Sequence, residues 1–368
     1  MNPPKIPDTM AAVVLTGHGG PEKLEYRTDV KVPSIAAKEV LIRVSAAGVN
    51  NTDINTRIGW YSKGVKTGTG TGPGEGRQDE DASWSGVPLQ FPRIQGADCC
   101  GRIVAVGEDV DPRRIGERVL VRTMLRDYVD YRPYECWTFG SECDGGFAQY
   151  AKAPASDTHR VDCDLSDVEL GAIPCAYSTA EGMLHRAGVK ANERVLITGA
   201  SGGVGSAAIQ LSKRRGAYVT AVAGRSKAKE MQELGADQVI PREESILAHV
   251  GKGTFDVVVD LVAGPAFPDL LDVIKRGGRY AVAGAIAGPI VELDVRTLYL
   301  KDLSFLGCTF QEDEVFTNLI SYIERGEIRP HIGKVYPLRE ITAAQEHFLS
   351  KATAGKIVLQ IPGDNEPL

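Results

Sequence analysis

The sequence predicts an α/β chain built as two domains, a barrel-like β unit and a doubly wound parallel sheet. Three observations carry this. The chain has 368 residues, enough for two cores of ordinary size. Its first part breaks into short apolar runs punctuated by Gly, Pro and Asp: "AAVVLTG", "EVLIRVSAAGV", "GRIVAVG", "GERVLVR" and "GGFAQYAKA". From Asn192 the rhythm changes to continuous apolar strands alternating with helical stretches, the pattern of a parallel sheet covered on both faces.

Within the first region, residues 62–88, "SKGVKTGTGTGPGEGRQDEDASWSGVP", hold almost no apolar side chains and read as a long inserted loop. The second region runs "RVLITGA", "AYVTAVAG", "KAKEMQELGA", "DQVI", "SILAHVG", "FDVVVDLVAG", "PDLLDVIKRGG", "RYAVAGAIAG" and "KDLSFLGCTF". After it, "VFTNLISYIERGEIRP" reads as a helix and "GKIVLQI" as a closing strand.

Composition narrows the function. Forty-two Lys and Arg against 48 Asp and Glu give a net charge of -6, which offers no basic field for nucleic acid. No window approaches the length of apolar chain that crosses a membrane, and the start "MNPPKIPDTM" lacks a secretory pattern, so a cytoplasmic protein is expected. Seven cysteines, an odd number without a C-x-x-C pair, favour reduced thiols.

The strongest motif is "VLITGASGGVGSAAIQLSKRRGA". An apolar strand enters a turn made by Gly199, Ala200, Ser201, Gly202, Gly203, Val204 and Gly205, and a helix follows. Glycines let a backbone approach a pyrophosphate, and the helix start offers free N–H groups. A turn serving packing alone is the competing reading. An NAD-selective site places an acid at the end of the next strand; here stand Gly224, Arg225, Ser226 and Lys227. A cationic, hydroxyl-bearing loop suits a 2′-phosphate and points to NADP(H), against a merely solvated basic helix start.

The pieces "GVNNTD", "FPRIQGADCCGRIVAVG", "GERV", "GGFAQY", "STAEGML", "GASGGVGSAAIQL", "LGADQVI", "FDVVVD" and "GKIVL" together resemble the medium-chain dehydrogenase/reductases over nearly the whole chain. The resemblance implies a GroES-like β-barrel catalytic domain over 1–160 and 311–368, with the 62–88 loop inserted, and a Rossmann NADP-binding domain over 161–310. It also implies Thr179, in "STAEGML", as a cofactor contact, nicotinamide and substrate meeting between the domains, and a dimer or tetramer joined through the cofactor domains, with "LSFLGCTF" as the edge strand for pairing in the expected homodimer.

In the zinc-dependent branch of that family, the positions matching Asn50, Ala97, Asp98 and Cys175 carry or surround the catalytic metal. An amide is a poor zinc ligand and a methyl group is none, so the expectation is no metal site. Cys99, Cys100, Cys136 and Cys143 also stand at the wrong spacing for the family's structural zinc. Cys175 reads as a small buried residue.

The zinc-free branch, quinone oxidoreductases and enoyl reductases, transfers hydride to polarised acceptors whose developing oxyanion needs only hydrogen-bond donors. "NNTDINTRIGWY" resembles that branch. Tyr61 matches the tyrosine that enoyl-thioester reductases use as proton donor, with a packing tyrosine as the alternative. Asn50 either donates to the acceptor or serves as a turn residue; Arg57 either orients a polar acceptor or is solvated; Trp60 either walls a pocket or shields the loop after it. The six histidines fall in no motif. The expected function is zinc-independent, NADPH-dependent reduction of a quinone or an activated alkene. The competing readings are a zinc-assisted alcohol dehydrogenase and an NADPH-binding sensor with little turnover.

Overall fold

The computed structural model describes residues 6–70 and 76–364. Among these, one compact unit holds residues 6–65, 76–175 and 320–364, and the other holds 66–70 and 176–319. The chain passes from the first unit to the second inside the helix Pro174–Arg186, and back inside the helix Asp313–Glu324. The boundaries therefore fall within helices rather than at 160/161 and 310/311, because residues 161–175 pack with the β unit.

The first unit centres on the long strand Glu39–Val49, which pairs along its length with Cys100–Val106 and with Tyr150–Pro154 at its start and Lys356–Gln360 at its end. Arg118–Val121 and Thr158–Arg160 extend the sheet on one side and Ile332–Pro337 on the other. A smaller sheet joins Leu24–Lys31, Thr9–Leu15 and Arg93–Ile94. One apolar core, including Val13, Leu15, Ile42, Val44, Ile103, Phe139 and Phe147, lies between these sheets. The sequence reading missed the strands Leu24–Lys31 and Ile332–Pro337 and the helix Ile341–Ser350. Leu24–Lys31 has a single buried residue and Ile332–Pro337 none, so no continuous apolar run marks them.

The second unit is a six-stranded, all-parallel sheet in the order Gln238–Pro241, Tyr218–Ala223, Arg194–Ile197, Phe255–Asp260, Ile274–Val282, Ser304–Gly307. The chain starts at the centre, runs to one edge, then returns and fills the other, which is the nucleotide-binding doubly wound order. Its strands are nearly all apolar because both faces are covered.

The described part of the 62–88 insertion is tied down. Ser62 Oγ accepts from Gln78 N at 2.9 Å, Asp81 from Lys63 N at 2.9 Å, and Glu142 from Ser85 N and Oγ at 3.1 and 3.0 Å. Residues 66–70 group with the second unit, where Thr69 N donates to Ile286 O at 3.1 Å. All seven cysteines are free thiols.

The segment around Cys136 and Cys143 is organised by an arginine. Arg126, buried, donates to the carbonyls of Tyr131 at 2.8 Å, Arg132 at 3.0 Å and Glu135 at 2.7 Å. A guanidinium thereby gathers a loop in which Asp130, Tyr131 and Tyr134 adopt left-handed backbone.

Candidate active site

The strand Glu39–Val49 ends at Asn50, whose backbone is extended before the helix Asn51–Ile58 begins. Asp53 closes that helix start by accepting from Asn50 N at 2.7 Å, the acidic half of a capping box. In the antiparallel register Ile357 lies opposite Val49, so Lys356 arrives beside Asn50. Asp98 comes in just ahead of the neighbouring strand Cys100–Val106.

These three side chains form one buried cluster. Lys356 Nζ, on a side chain 2 % exposed, donates to Asp98 Oδ2 at 3.0 Å, to Asn50 Oδ1 at 2.5 Å and to Val49 O at 3.2 Å. The second Asp98 oxygen accepts from the Cys175 backbone N–H at 2.6 Å. Gly48 makes room: a Cβ there would stand 2.5 Å from Asp98 Oδ2 and 2.8 Å from Lys356 Cε. The glycine of "AAGVNN" is thus fixed by the approach of an ion pair, not by a turn.

This geometry corrects the donor role expected for Asn50. Both of its amide hydrogens are committed, to Asp98 Oδ2 at 2.8 Å and Gly48 O at 3.2 Å, while its oxygen accepts from Lys356. Arg57 likewise takes neither expected role. It is buried, donating to Gln345 Oε1 at 3.0 Å and Gly19 O at 2.8 Å, so it ties helix Ile341–Ser350 to the β unit.

The positions matched to a catalytic zinc do not suit one. Ala97 offers a methyl group, Asp98 already faces an ammonium, and burial beside the Asp98 charge pushes the Cys175 thiol well above the usual thiol range. Zinc takes thiolate, not thiol, and a second cation would have to displace Lys356. Among the described residues no group of three His, Cys, Asp or Glu could hold a metal ion.

Helix Asn51–Ile58 places Thr52 and Asn55 one turn apart on one face, and Gly59 ends it in the left-handed conformation. Tyr61 follows. Burial raises its phenol pKa well above the ordinary value, opposed by hydrogen bonding from Thr52 and Asn55. The pKa lowering that a readily ionising acid would need is therefore missing, and the group keeps its proton as a donor. Trp60 packs edge-on to it, with ring centroids 5.7 Å apart. Burial likewise pushes the Asp53 carboxyl up to about 7, against the Asn50 and Ala97 amides that hydrogen-bond it.

In the second unit the glycine turn has the form its motif implied. Gly199 has φ +59°, and the helix Gly203–Arg214 starts after Gly202. A Cβ on Gly205 would stand 2.4 Å from Gly199 O and 2.5 Å from Ala200 Cα, so helix and turn touch backbone to backbone. The turn, including Ser201 and Val204, leaves the first helical N–H groups for an anion. Thr179 lies in helix Pro174–Arg186 and is partly exposed.

The basic loop after the second strand is more crowded than the sequence implied. Arg225 pairs with Glu244, which also contacts His249. Lys227, half-buried, has its pKa lowered by burial and by Arg242. Arg242 was missed by sequence reasoning. Ala223 and Pro241 are register partners, so the residues after these two strands lie side by side and Arg242 Nε comes within 3.8 Å of the Cβ position at Gly224. The signal available was a cation two residues after "DQVI".

Residues 36–162 match the alcohol dehydrogenase GroES-like domain and residues 203–325 the zinc-binding dehydrogenase family. The chain is 31% identical to the quinone oxidoreductase of Lama guanicoe, covering 95% of this chain and 97% of that protein. It is 28% identical to the acryloyl-coenzyme A reductase of Metallosphaera sedula, covering 95% and 99%. A solved structure from Sinorhizobium meliloti 1021, provisionally named an alcohol dehydrogenase, superposes with a TM-score of 0.87 at 47% identity over 97% of this chain and 98% of that one. The chain belongs to the medium-chain dehydrogenase/reductase superfamily and is an oxidoreductase of that family. Among the described residues no helix is long and apolar enough to cross a membrane.

The Lys356–Asp98 pair gives a direct stability test. Lys356→Met strands a buried carboxylate and is expected to cost about 3–5 kcal/mol. Adding Asp98→Asn removes the stranded charge and is expected to recover a good part of that loss. Urea unfolding of the two single variants and the double variant measures it, and a purely additive double would show that the pair is not coupled.

Proposed function

We propose that the chain is a zinc-independent, NADPH-dependent oxidoreductase that delivers hydride to a quinone or to the β-carbon of an activated alkene: an enal, an enone or an enoyl thioester. The observation that carries this reading is the Lys356 ammonium held by Asp98 and Asn50 at the positions matched to a catalytic metal. Without a Lewis acid there, nothing lowers the pKa of an alcohol hydroxyl, whereas an already polarised acceptor needs only donors for its developing oxyanion. Two relatives carry names of that kind, a quinone oxidoreductase and an acryloyl-coenzyme A reductase.

The nicotinamide dinucleotide supplies the hydride when bound. On the protein side, the turn Gly199–Gly205 and the start of helix Gly203–Arg214 would hold its pyrophosphate. Arg225, Ser226, Lys227 and Arg242 would face the ribose 2′-phosphate, which competes with Glu244 for Arg225. Tyr61 provides the donor for the acceptor's oxygen: its phenol stays protonated, so it can stabilise the oxyanion by a hydrogen bond.

A homodimer is the expected assembly. Val295, Tyr299, Leu300 and Phe305 are exposed on and beside the edge strand Ser304–Gly307, whose outer hydrogen-bonding side is open among the described residues. An apolar surface next to an open sheet edge suits pairing with a second copy. Light scattering is expected to give twice the chain mass, and Phe305→Asp to shift the protein toward monomer; a wild-type monomer would rule the dimer out.

NADPH oxidation with a benzoquinone or an α,β-unsaturated ketone is expected to survive chelators. It is expected to fall by an order of magnitude or more in Tyr61→Phe, the scale of a lost oxyanion donor. Unchanged turnover in that variant would remove Tyr61 from the role. Arg225→Asp is expected to reverse the preference toward NADH by charge repulsion of the 2′-phosphate, seen as the ratio of kcat/KM for the two cofactors; an unaltered ratio would sink this phosphate-site assignment.

A further inference from the structure

The insertion after Tyr61 brings one side chain back to the site. Trp84 packs on Tyr61 with ring centroids 4.7 Å apart and planes tilted by 39°. Its indole Nε1 donates to Thr52 Oγ1 at 2.6 Å. An indole N–H can only donate, so the Thr52 oxygen is the acceptor in that bond and the hydroxyl's own proton is directed elsewhere. Thr52 also hydrogen-bonds the Tyr61 phenol. Asn55 also donates to Tyr61, while its buried Oδ1 has no partner among the described residues.

We propose that Trp84 is a positioning residue for Tyr61: by engaging the Thr52 oxygen it fixes Thr52 as a donor to the phenol, leaving the phenol proton for the acceptor's oxygen. The inference rests on Tyr61 being the donor. It makes the insertion part of the site, because Trp84 is held there by its neighbour Ser85 on Glu142 and by Gln78 on Ser62. Two aromatic rings, Trp60 and Trp84, then restrict how the phenol can turn.

Trp84→Phe keeps a ring and removes the N–H. With NADPH and whichever of a benzoquinone or an α,β-unsaturated ketone the enzyme reduces, kcat is expected to fall about fivefold to tenfold, the size of one lost hydrogen bond. The KM for NADPH should not move. In a Tyr61→Phe background the same substitution should change nothing further, because the group it positions is gone. Thr52→Val, which removes the hydroxyl at nearly constant shape, is expected to reproduce the loss and its dependence on Tyr61.

An unchanged kcat in Trp84→Phe, or equal losses with and without the Tyr61 hydroxyl, would overturn the positioning role and leave Tyr61 as the donor. No loss in Tyr61→Phe itself would overturn the reading of Tyr61, and with it this inference.

Discussion

Two opposite charges buried beside each other, Lys356 and Asp98, set the terms for the rest of the site. Removing an ammonium and a carboxylate from water is costly, and the pair persists because nearly every polar position around it is used. Asp98 receives Lys356, Asn50 and the Cys175 amide; Lys356 also reaches Asn50 and the Val49 carbonyl. Gly48 is the gap that admits both. Because this cluster pins Asn50, it pins the start of helix Asn51–Ile58, and that helix places Thr52, Asn55 and Tyr61. A fixed side-chain cation and a divalent ion cannot share the Asp98 carboxylate cheaply, so the same interaction bears on the choice of chemistry.

A second buried cation follows the same logic away from the site. In the segment around Cys136 and Cys143, Arg126 gathers three backbone carbonyls of its own loop. A planar guanidinium with several donors can do this without thiolates, and it leaves Cys136 and Cys143 as partly buried neutral thiols. Each of these two regions is built around a buried protein cation, Lys356 in one and Arg126 in the other.

Most of the fold was legible because it is periodic. The parallel strands announce themselves as continuous apolar runs, and the glycine turn sits between one of them and a helix. Strands with almost no buried residues, such as Leu24–Lys31 and Ile332–Pro337, left no such trace. In the site, the loss of the metal-ligand types at Asn50 and Ala97 could be read directly. What replaced them could not, since Lys356 lies 306 residues from Asn50 in sequence and meets it only through strand register. Arg57 and Asn50 were misjudged for a related reason. A polar residue type shows capacity to donate, but only packing shows that Gln345, Gly19 and Asp98 have already used it. Trp84 was hidden inside a polar insertion whose composition gave no sign of a contact with Tyr61.

Zinc titration of the purified protein, followed by equilibrium dialysis and elemental analysis, tests the central claim most directly: the Lys356 ammonium stands in the catalytic metal's place. Wild type is expected to retain no stoichiometric zinc, because binding would have to expel a buried ammonium and deprotonate the Cys175 thiol. One zinc per chain in wild type, lost in Cys175→Ser, would contradict it.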